Sequence, residues 1–278
     1  ETINLETVRL LYDNCTSGTM SGKITDAVTC DNIPGASLYS TIGLNKFSGF
    51  SYFGDTDTNG AWSLSKSGGW YTIRAIKLGY YDDYNNVFAC GDQPDQNNSL
   101  SETLNEGEMR IILKWRKTKP ITGVDLDSHL SIPDNSSGTY HIYYETVNGD
   151  NHKYYVYGAG DNVTLDYDDD NSTARPSPPG KETISILSGA ATKVRSGTFS
   201  YSVHNYKDRN NNTDNYKTNL SKSKAKVRIF YNDQGTLVRK RFNVPNDNGT
   251  LWRVFTFDNS SGSGSGFTRV DNMTYEDT

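Results

Sequence analysis

Short segments that alternate apolar and polar residues recur along most of this chain, and clusters of turn-forming residues separate them. Such alternation indicates β-strands with one buried face, because successive side chains of a strand point to opposite sides. Tyrosine and glycine are abundant, at 19 and 25 of 278 residues, and patterns with helical spacing are almost absent. Together these features predict an all-β protein whose strands are connected by many turns.

The sequence divides into four parts. Residues 1–14 are predicted to form an extended N-terminal strand, and residues 15–115 a first domain of short strands. Residues 116–258 form a second set of strands, and residues 259–278 contain a Gly/Ser linker followed by a C-terminal strand. We therefore predict two tandem antiparallel β-sandwich domains with extended terminal strands.

The first domain carries an ordered set of motifs: SGKITDAVT, then IPGASL, then TDTNGAWSL, and finally GGWYTIRAIKLGY. In this order the motifs resemble those of the carboxypeptidase regulatory-like, transthyretin-like β-sandwich family. The resemblance covers about a hundred residues and implies a fold and a secreted or surface location, but fold alone does not assign an activity. Members of that family are usually non-catalytic modules.

The second domain carries a further set of motifs in order: DLDSHL, YHIYY, LDYDD, KETISI, YSVHNY and LWRVFTFD. This set resembles the YfaP-like family of secreted β-sandwiches. Related peptide-binding adhesion domains share the DLDxH and LDxDx features and are calcium-dependent, so the resemblance implies calcium. The sequence departs from that pattern at Lys181, where a proline usually precedes the glutamate.

Two acidic segments of the second domain provide candidate metal ligands. Strand alternation places Asp125 and Asp127 on one face of their segment, and Asp166 and Asp168 on one face of theirs. Carboxylate oxygens are the ligands that Ca²⁺ prefers, and clustered carboxylates repel each other without a cation. We therefore predict that these four residues bind calcium. Solvated turns, in which aspartate side chains cap the backbone, are the alternative.

Histidines offer a second kind of metal site. His129, His141 and His204 lie on three predicted strands and could converge on zinc, although histidines more often make structural hydrogen bonds. Ser128 lies between Asp127 and His129, so its side chain points to the opposite face and no serine triad is predicted. Because the sequence also lacks a GxSxG motif, we expect no enzymatic activity.

Cysteines and glycosylation sequons indicate an oxidising compartment. The three cysteines, Cys15, Cys30 and Cys90, fit one disulfide and one free thiol. We predict the pair Cys30–Cys90, with Cys15–Cys90 as the alternative. Ten N-x-S/T sequons, about twice the number expected by chance, predict N-linked glycans on a protein outside the cell or at its surface. The predicted sites are Asn14, Asn97, Asn135, Asn162, Asn171, Asn211, Asn219, Asn248, Asn259 and Asn272.

Charge and hydropathy exclude two classes of partner. The net charge is −5, which does not favour nucleic-acid binding. Two basic segments, Leu220 to Phe230 and Val238 to Phe242, mix with apolar residues and are predicted to form the wet face of two paired strands. No apolar run approaches the roughly 18 residues of a membrane span.

The two ends of the chain suggest self-association. The strand-like segments Thr2 to Asp13 and Phe267 to Tyr275 lie outside both predicted domains, and the linker Ser260 to Gly266 tethers the second. A strand donated head to tail would build an open fibre. We therefore predict a repeating subunit of an extracellular filament or surface layer, assembled by strand exchange. The alternative is a calcium-dependent adhesin module that binds glycan or peptide, with tyrosine-rich runs as contact surfaces.

Overall fold

The structure is a computed structural model that describes residues 15–117, 124–158, 160–169, 180–189, 191, 194–208, 218–260 and 266–275. These residues form twenty-one β-strands, one short α-helix and one 3-10 turn, so the all-β prediction is confirmed. The predicted N-terminal strand lies outside the described residues and stays a prediction. The chain divides into two compact units, residues 1–103 and residues 104–278. None of the described residues belongs to a helix with the length and hydrophobicity of a membrane span.

The first unit contains β1 (Ser17–Asp26), β2 (Ser37–Ile42), β3 (Ser51–Asp55), β4 (Ala61–Ser67), β5 (Gly69–Ile76), β6 (Asp83–Ala89), β7 (Gly91–Gln93) and β8 (Asn98–Leu100). One sheet has the order β4-β1-β7, with β8 also paired to β1, and the other has the order β3-β2-β5-β6. Alternate side chains of both sheets, such as Met20 and Ile73, share one buried core. The unit is therefore a β-sandwich.

The TDTNG motif forms the turn before β4. The Asp57 carboxylate accepts hydrogen bonds from the backbone N–H groups of Asn59 and Ala61, both at 2.8 Å. Gly60 has a φ of +67°, a backbone conformation that side chains disfavour. A Cβ atom at Gly60 would also lie 2.6 Å from the carbonyl oxygen of Ile24. Glycine is therefore required at this position by both conformation and space.

The disulfide of the first unit joins Cys15 to Cys90, and Cys30 is a free thiol. The predicted pair Cys30–Cys90 is wrong, and the alternative pair is the one that forms. Strand β7 runs parallel to β1 with Gly91 opposite Gly18, which brings the residues preceding both strands together. Cys30 lies beyond the other end of β1. Only the pairing of β7 with β1 distinguishes the two candidates.

The second unit contains two sheets that share a second core. Its strands are β9 (Met109–Trp115), β10 (Leu126–Pro133), β11 (Thr139–Ile142), β12 (Thr146–Val147), β13 (Asp150–Asn151), β14 (Tyr154–Val156), β15 (Asp161–Tyr167), β16 (Gly180–Ser188), β17 (Thr198–Asn205), β18 (Lys226–Asp233), β19 (Thr236–Asn243), β20 (Leu251–Asp258) and β21 (Phe267–Thr274). The helix α1 spans Asn219–Lys222, and the 3-10 turn spans Tyr206–Asp208. The six-stranded sheet has the order β14-β15-β16-β9-β18-β19, and the five-stranded sheet has the order β11-β10-β17-β20-β21. Strands β12 and β13 form a separate hairpin.

The boundary between the two domains differs from the predicted one. Strand β9 was expected to close the first domain, but it lies between β16 and β18 in the six-stranded sheet of the second unit. The division falls after Thr103 rather than after residue 115. The sequence MRIILKW indicates a strand, but a strand has the same alternation whichever sheet it joins.

The C-terminal strand also differs from its prediction. Strand β21 is not held off the domain but pairs with β20 as the edge strand of the five-stranded sheet. Phe267 lies opposite Phe257, with ring centroids 4.5 Å apart, and also packs against Phe255. Met273 contacts the same core, whereas Val270 is exposed. The segment is therefore a strand, as predicted, but its apolar residues Phe267 and Met273 cover the chain's own core.

Candidate functional site

The DLDSHL segment contributes Leu126 to Leu130 to β10, which lies between β11 and β17 in the five-stranded sheet, and Asp125 directly precedes the strand. Leu126 and Leu130 are fully buried in the core, and the Ser128 hydroxyl makes a 2.8 Å hydrogen bond with the buried Tyr201 hydroxyl. Asp127 and His129 therefore share the opposite, outer face of the sheet. This confirms the predicted alternation, and it separates Ser128 from the acid and the imidazole.

Strand pairing adds a third polar residue to this outer face. Asp127 lies directly opposite His204 of β17, and both side chains are buried. The His204 Nδ1 atom is 4.0 Å from the Asp127 Oδ2 atom. One potential ligand atom from each of Asp127, His129 and His204 lies within 4.8 Å of the other two. Within the described residues these three form the closely spaced group of potential metal ligands, and we call them the Asp-His-His cluster.

His129 is held in place by neighbouring rings. Its Nδ1 atom shares a 2.9 Å hydrogen bond with the Nε2 atom of His141 on β11. Its ring stacks on Tyr143 and meets the His204 ring edge to face. Burial, together with His141 and His204, lowers the pKa of His129 to about 3, so the imidazole is neutral at physiological pH. Burial and the nearby His152 also lower the pKa of His141.

Tyrosines from two separate runs come together beside these histidines. Tyr140 stacks on His152 with centroids 5.2 Å apart, and it also contacts Tyr155 at 4.6 Å. His152 in turn lies 5.0 Å from Tyr143, which contacts His129 and His141. The structure therefore joins the predicted aromatic runs into one patch next to the Asp-His-His cluster.

Sequence reasoning missed one acidic residue of this region, Glu182 on β16. It is fully buried, and its Oε2 atom accepts a 2.5 Å hydrogen bond from the backbone N–H of Ser128. Its Oε1 atom has no hydrogen-bond partner among the described residues. Burial raises the pKa of Glu182 well above its usual range, and the charges of Asp127 and Asp168 raise it further. Glu182 therefore lies near one member of each predicted aspartate pair.

A signal for Glu182 does exist in the sequence. In KETISIL the glutamate stands two residues before Ile184 and four before Ile186, in the same alternation phase as these core side chains. A charged residue at a core position is rare unless it has a partner or a function. The partner of Glu182, the backbone of β10, belongs to the other sheet and is not visible in the sequence.

The four predicted calcium ligands occupy different surroundings. Only Asp127 belongs to the Asp-His-His cluster. Asp125 is half-buried, and its carbonyl oxygen accepts a 3.0 Å hydrogen bond from the Tyr206 N–H. Asp166 lies at an irregularity of register in β15, and Asp168 just beyond that strand forms a 2.7 Å ion pair with Lys153. Calcium binding by these residues stays a prediction.

The sequons differ in accessibility. Asn135, Asn248 and Asn272 are exposed, and Asn97 and Asn162 are half-buried. Asn14, Asn171 and Asn211 lie outside the described residues. The Asn219 amide donates a 2.9 Å hydrogen bond to Asp208, and the buried Asn259 amide donates to the Val194 carbonyl. Because a glycan is attached through that amide nitrogen, the fold argues against glycosylation at Asn259.

Comparison with known proteins gives neither a family nor a curated relative, since no family model and no curated protein matches the sequence. Several solved structures are similar in part. A protein of unknown function, SAV2460, is 11% identical over 61% of this chain and 92% of its own, with a TM-score of 0.35. BcpA, the major pilin subunit of Bacillus cereus, is 12% identical over 81% of this chain and 67% of its own, with a TM-score of 0.27.

The full-length major pilin SpaD from Corynebacterium diphtheriae is 9% identical over 87% of this chain and 66% of its own, with a TM-score of 0.27. All three TM-scores are below 0.5, so these similarities support no conclusion about function or assembly.

Proposed function

We propose that this protein is a secreted, non-catalytic subunit of an extracellular filament or surface layer that assembles by exchange of its C-terminal strand. The attachment of β21 carries the proposal. Strand β20 ends at Asp258 and β21 begins at Phe267, so the connection is the eight-residue segment NSSGSGSG. Hairpin loops usually have about two to five residues. Eight residues of Gly/Ser-rich sequence generally have an end-to-end distance of roughly 15 Å, a reach that would let β21 pair with a neighbouring molecule.

The position of β21 makes such an exchange possible at small cost. Among the described strands it pairs with β20 alone and forms the edge of its sheet. If β21 leaves, the edge of β20 and the aromatic residues Phe255 and Phe257 lose their cover. The β21 strand of another copy would restore the same backbone pairs and the same Phe267 contacts. Repeated from one copy to the next, this exchange produces an open chain.

Two further features support an extracellular location. The Cys15–Cys90 disulfide is typical of proteins that fold in an oxidising compartment. The sequons at Asn135, Asn248 and Asn272 have exposed asparagines that a glycan could occupy. The motif resemblances to carboxypeptidase regulatory-like and YfaP-like sandwiches also favour a secreted protein.

The decisive experiment fixes β21 to its own molecule. Thr256 and Thr268 lie directly opposite each other on β20 and β21, so cysteines at both positions can form a disulfide within one chain. The Cys30→Ser background removes the free thiol. We expect oxidised Thr256→Cys/Thr268→Cys protein to be folded but unable to form filaments in electron microscopy. The matched control, Thr256→Ser/Thr268→Ser in the same background, should assemble like the unmodified chain.

Deletion of residues 267–278 tests the same proposal from the other side. It should abolish assembly and destabilise the second unit, because Phe255 and Phe257 lose their cover. A synthetic peptide of residues 266–275 should restore stability to the deleted chain without restoring filaments, because the peptide cannot continue the chain. Filaments from the locked or the deleted protein, or only monomers in native material, would refute strand exchange.

A second candidate function, a calcium-dependent adhesin module, is favoured by Glu182. The buried Oε1 atom of Glu182 lacks a hydrogen-bond partner among the described residues, and the charges of Asp127 and Asp168 raise the pKa of this carboxyl group. Oxygen donors of this kind suit Ca²⁺, so Asp127, Asp168 and Glu182 would hold the ion with Asp125 and Asp166 nearby. The aromatic patch of Tyr140, Tyr143 and Tyr155 would contact the glycan or peptide.

Calorimetry with Ca²⁺ tests this second candidate. We expect heat of binding in the unmodified chain, and a loss of that heat in Asp125→Ala and in Glu182→Gln. Glutamine preserves the shape of Glu182 and can accept the hydrogen bond from Ser128, but its amide nitrogen provides no oxygen ligand at the Oε1 position. Asp161→Asn, an acidic residue paired with Arg195 outside this region, is the matched control and should bind normally. Absence of calcium heat in the unmodified chain would exclude the candidate.

A further inference from the structure

The Asp-His-His cluster has the backbone support that a metal site requires. Asp127 and His204 are paired residues of two adjacent central strands, and His129 follows two residues after Asp127 on the same face. In the ladder between β10 and β17, Asp127 lies opposite His204 and His129 lies opposite Ser202. His204 is also paired with Leu251 of β20, whereas β11 pairs with β10 only from Leu130 to Pro133. The β10–β17 ladder therefore holds the three Cα positions, and side-chain rotations adjust the positions of the ligand atoms.

The distances between the potential ligand atoms are close to those between the ligand atoms of a metal-bound site. The three atoms lie within 4.8 Å of one another, and the His204 Nδ1 to Asp127 Oδ2 distance is 4.0 Å. In a tetrahedral site with ligands about 2.0–2.2 Å from the ion, the ligand atoms are roughly 3.3–3.6 Å apart. Side-chain rotations that move ligand atoms by up to about 1.5 Å close the difference.

The hydrogen bond of His129 leaves one ring nitrogen for an ion. Its Nδ1 atom is already joined to His141 Nε2, whereas its Nε2 atom is buried without a hydrogen-bond partner among the described residues. Histidine ligands characteristically use the second ring nitrogen to hold a hydrogen bond that fixes the tautomer and the ring orientation. The stacking of Tyr143 on His129 restrains the ring further.

We propose that Asp127, His129 and His204 bind a divalent transition-metal ion of the zinc class, with His141 orienting His129. Two imidazoles and one carboxylate match the donors that Zn²⁺ accepts, and a water molecule completes a tetrahedral shell. Calcium takes oxygen ligands and does not suit two imidazole nitrogens. This site shares only Asp127 with the calcium candidate, and it goes beyond the proposed function because neither strand exchange nor that candidate requires the two histidines.

The test is calorimetric titration of the full chain with Zn²⁺ after treatment with a chelator. We expect one ion per chain, and His204→Gln and His129→Gln should each weaken binding by more than the roughly 10–100-fold typical of outer hydrogen-bond partners. His152→Gln is the matched control, since His152 belongs to the same aromatic patch but not to the cluster, and should leave the affinity unchanged.

Two measurements keep the proposal falsifiable if a buried histidine variant fails to fold. Circular dichroism reports the fold of each variant, and the half-buried His129 is a milder site for substitution than the buried His204. The Co²⁺ form of the unmodified chain should show the intense visible absorption of a four-coordinate N/O site, and this readout needs no variant. Absence of stoichiometric Zn²⁺ binding, binding that survives both histidine variants, or equal loss in His152→Gln would each overturn the proposal.

Discussion

The outer faces of the two sheets in the second unit carry different polar side chains: an acid and histidines on one, and lysines and arginines on the other. On the five-stranded sheet, the Asp-His-His cluster and His141 converge on a small area. On the six-stranded sheet, basic residues occupy four adjacent strands, and some of them lie directly opposite each other. These residues are Arg110 and Lys114 on β9, Lys181 on β16, Lys226 and Arg228 on β18, and Arg239 and Arg241 on β19.

Crowding of polar groups has different consequences on the two faces: it lowers the pKa of the cations on one, and it brings potential metal ligands together on the other. Lys114 lies opposite both Lys181 and Lys226, and burial together with these charges lowers its pKa to about 7. Arg228 lies opposite Arg241, and burial with that charge lowers its pKa to about 9. A row of cations offers no ligand atoms, whereas an acid and two imidazoles can share one cation. Convergence of unlike donors, rather than charge density, distinguishes a candidate site from a crowded surface.

The largest expected effect comes from Zn²⁺ binding, which would change the outer face of the five-stranded sheet and leave that of the six-stranded sheet as it is. Zn²⁺ at about 100 times its dissociation constant should raise the free energy of unfolding of the second unit by about 2.7 kcal/mol, because it binds only the folded state. Hydrogen exchange, read by mass spectrometry, should show slower exchange of β10 and β17 amides and no change in β1. Equal protection of both units, or protection that persists after addition of a chelator, would contradict the prediction.

An intermediate effect is expected on the basic face from Lys114→Met. The pKa of Lys114 is lowered from 10.5 in a free lysine to about 7 in the fold, so between these pH values the unfolded chain binds the extra proton. The free energy of unfolding therefore rises with pH from 7 to 10.5, and the full penalty is present below pH 7. Methionine should stabilise the protein at pH 7 by on the order of 1–2 kcal/mol and flatten this pH dependence.

Urea unfolding at several pH values measures the Lys114→Met effect. Lys207→Met removes an exposed lysine from the 3-10 turn and serves as the control, with a pH profile like that of the unmodified chain. Parallel pH profiles for Lys114→Met and the unmodified chain would show that the basic row imposes no cost at Lys114.

The smallest expected effect comes from Arg241→Glu, which places opposite charges across β18 and β19. Directly opposed like charges destabilise a sheet, and opposed unlike charges contribute roughly 0.2–1 kcal/mol. We therefore expect a slightly higher free energy of unfolding, measured by urea denaturation at low salt and reduced by added salt. Arg253→Glu on β20 controls for the charge change, because its opposite residues Ser202 and Asn272 are uncharged. A loss of stability in Arg241→Glu would mean that Arg228 is already balanced by other contacts.

Parts of the candidate site were predictable because they are local. Alternation in DLDSHL placed Asp127 and His129 on one face and Ser128 on the other, and the structure has this arrangement. The convergence of His204 with them depends on the register between β10 and β17, which are separated by more than sixty residues of sequence. The hydrogen bond from the Ser128 N–H to Glu182 depends on packing between the two sheets, and the sequence contains no local sign of that contact.

The sequence by itself determined the all-β class, most strand segments of the second unit, the turn at Gly60 and the facing of residues within each strand. Alternation and turn chemistry belong to neighbouring residues, so they are visible without knowledge of the fold. Only the tertiary structure decided that Cys15 pairs with Cys90, that β9 joins the second unit and that β21 covers its own core. Strand pairing is selected by the burial of whole faces across long separations, and many strands of similar composition satisfy the local rules equally well.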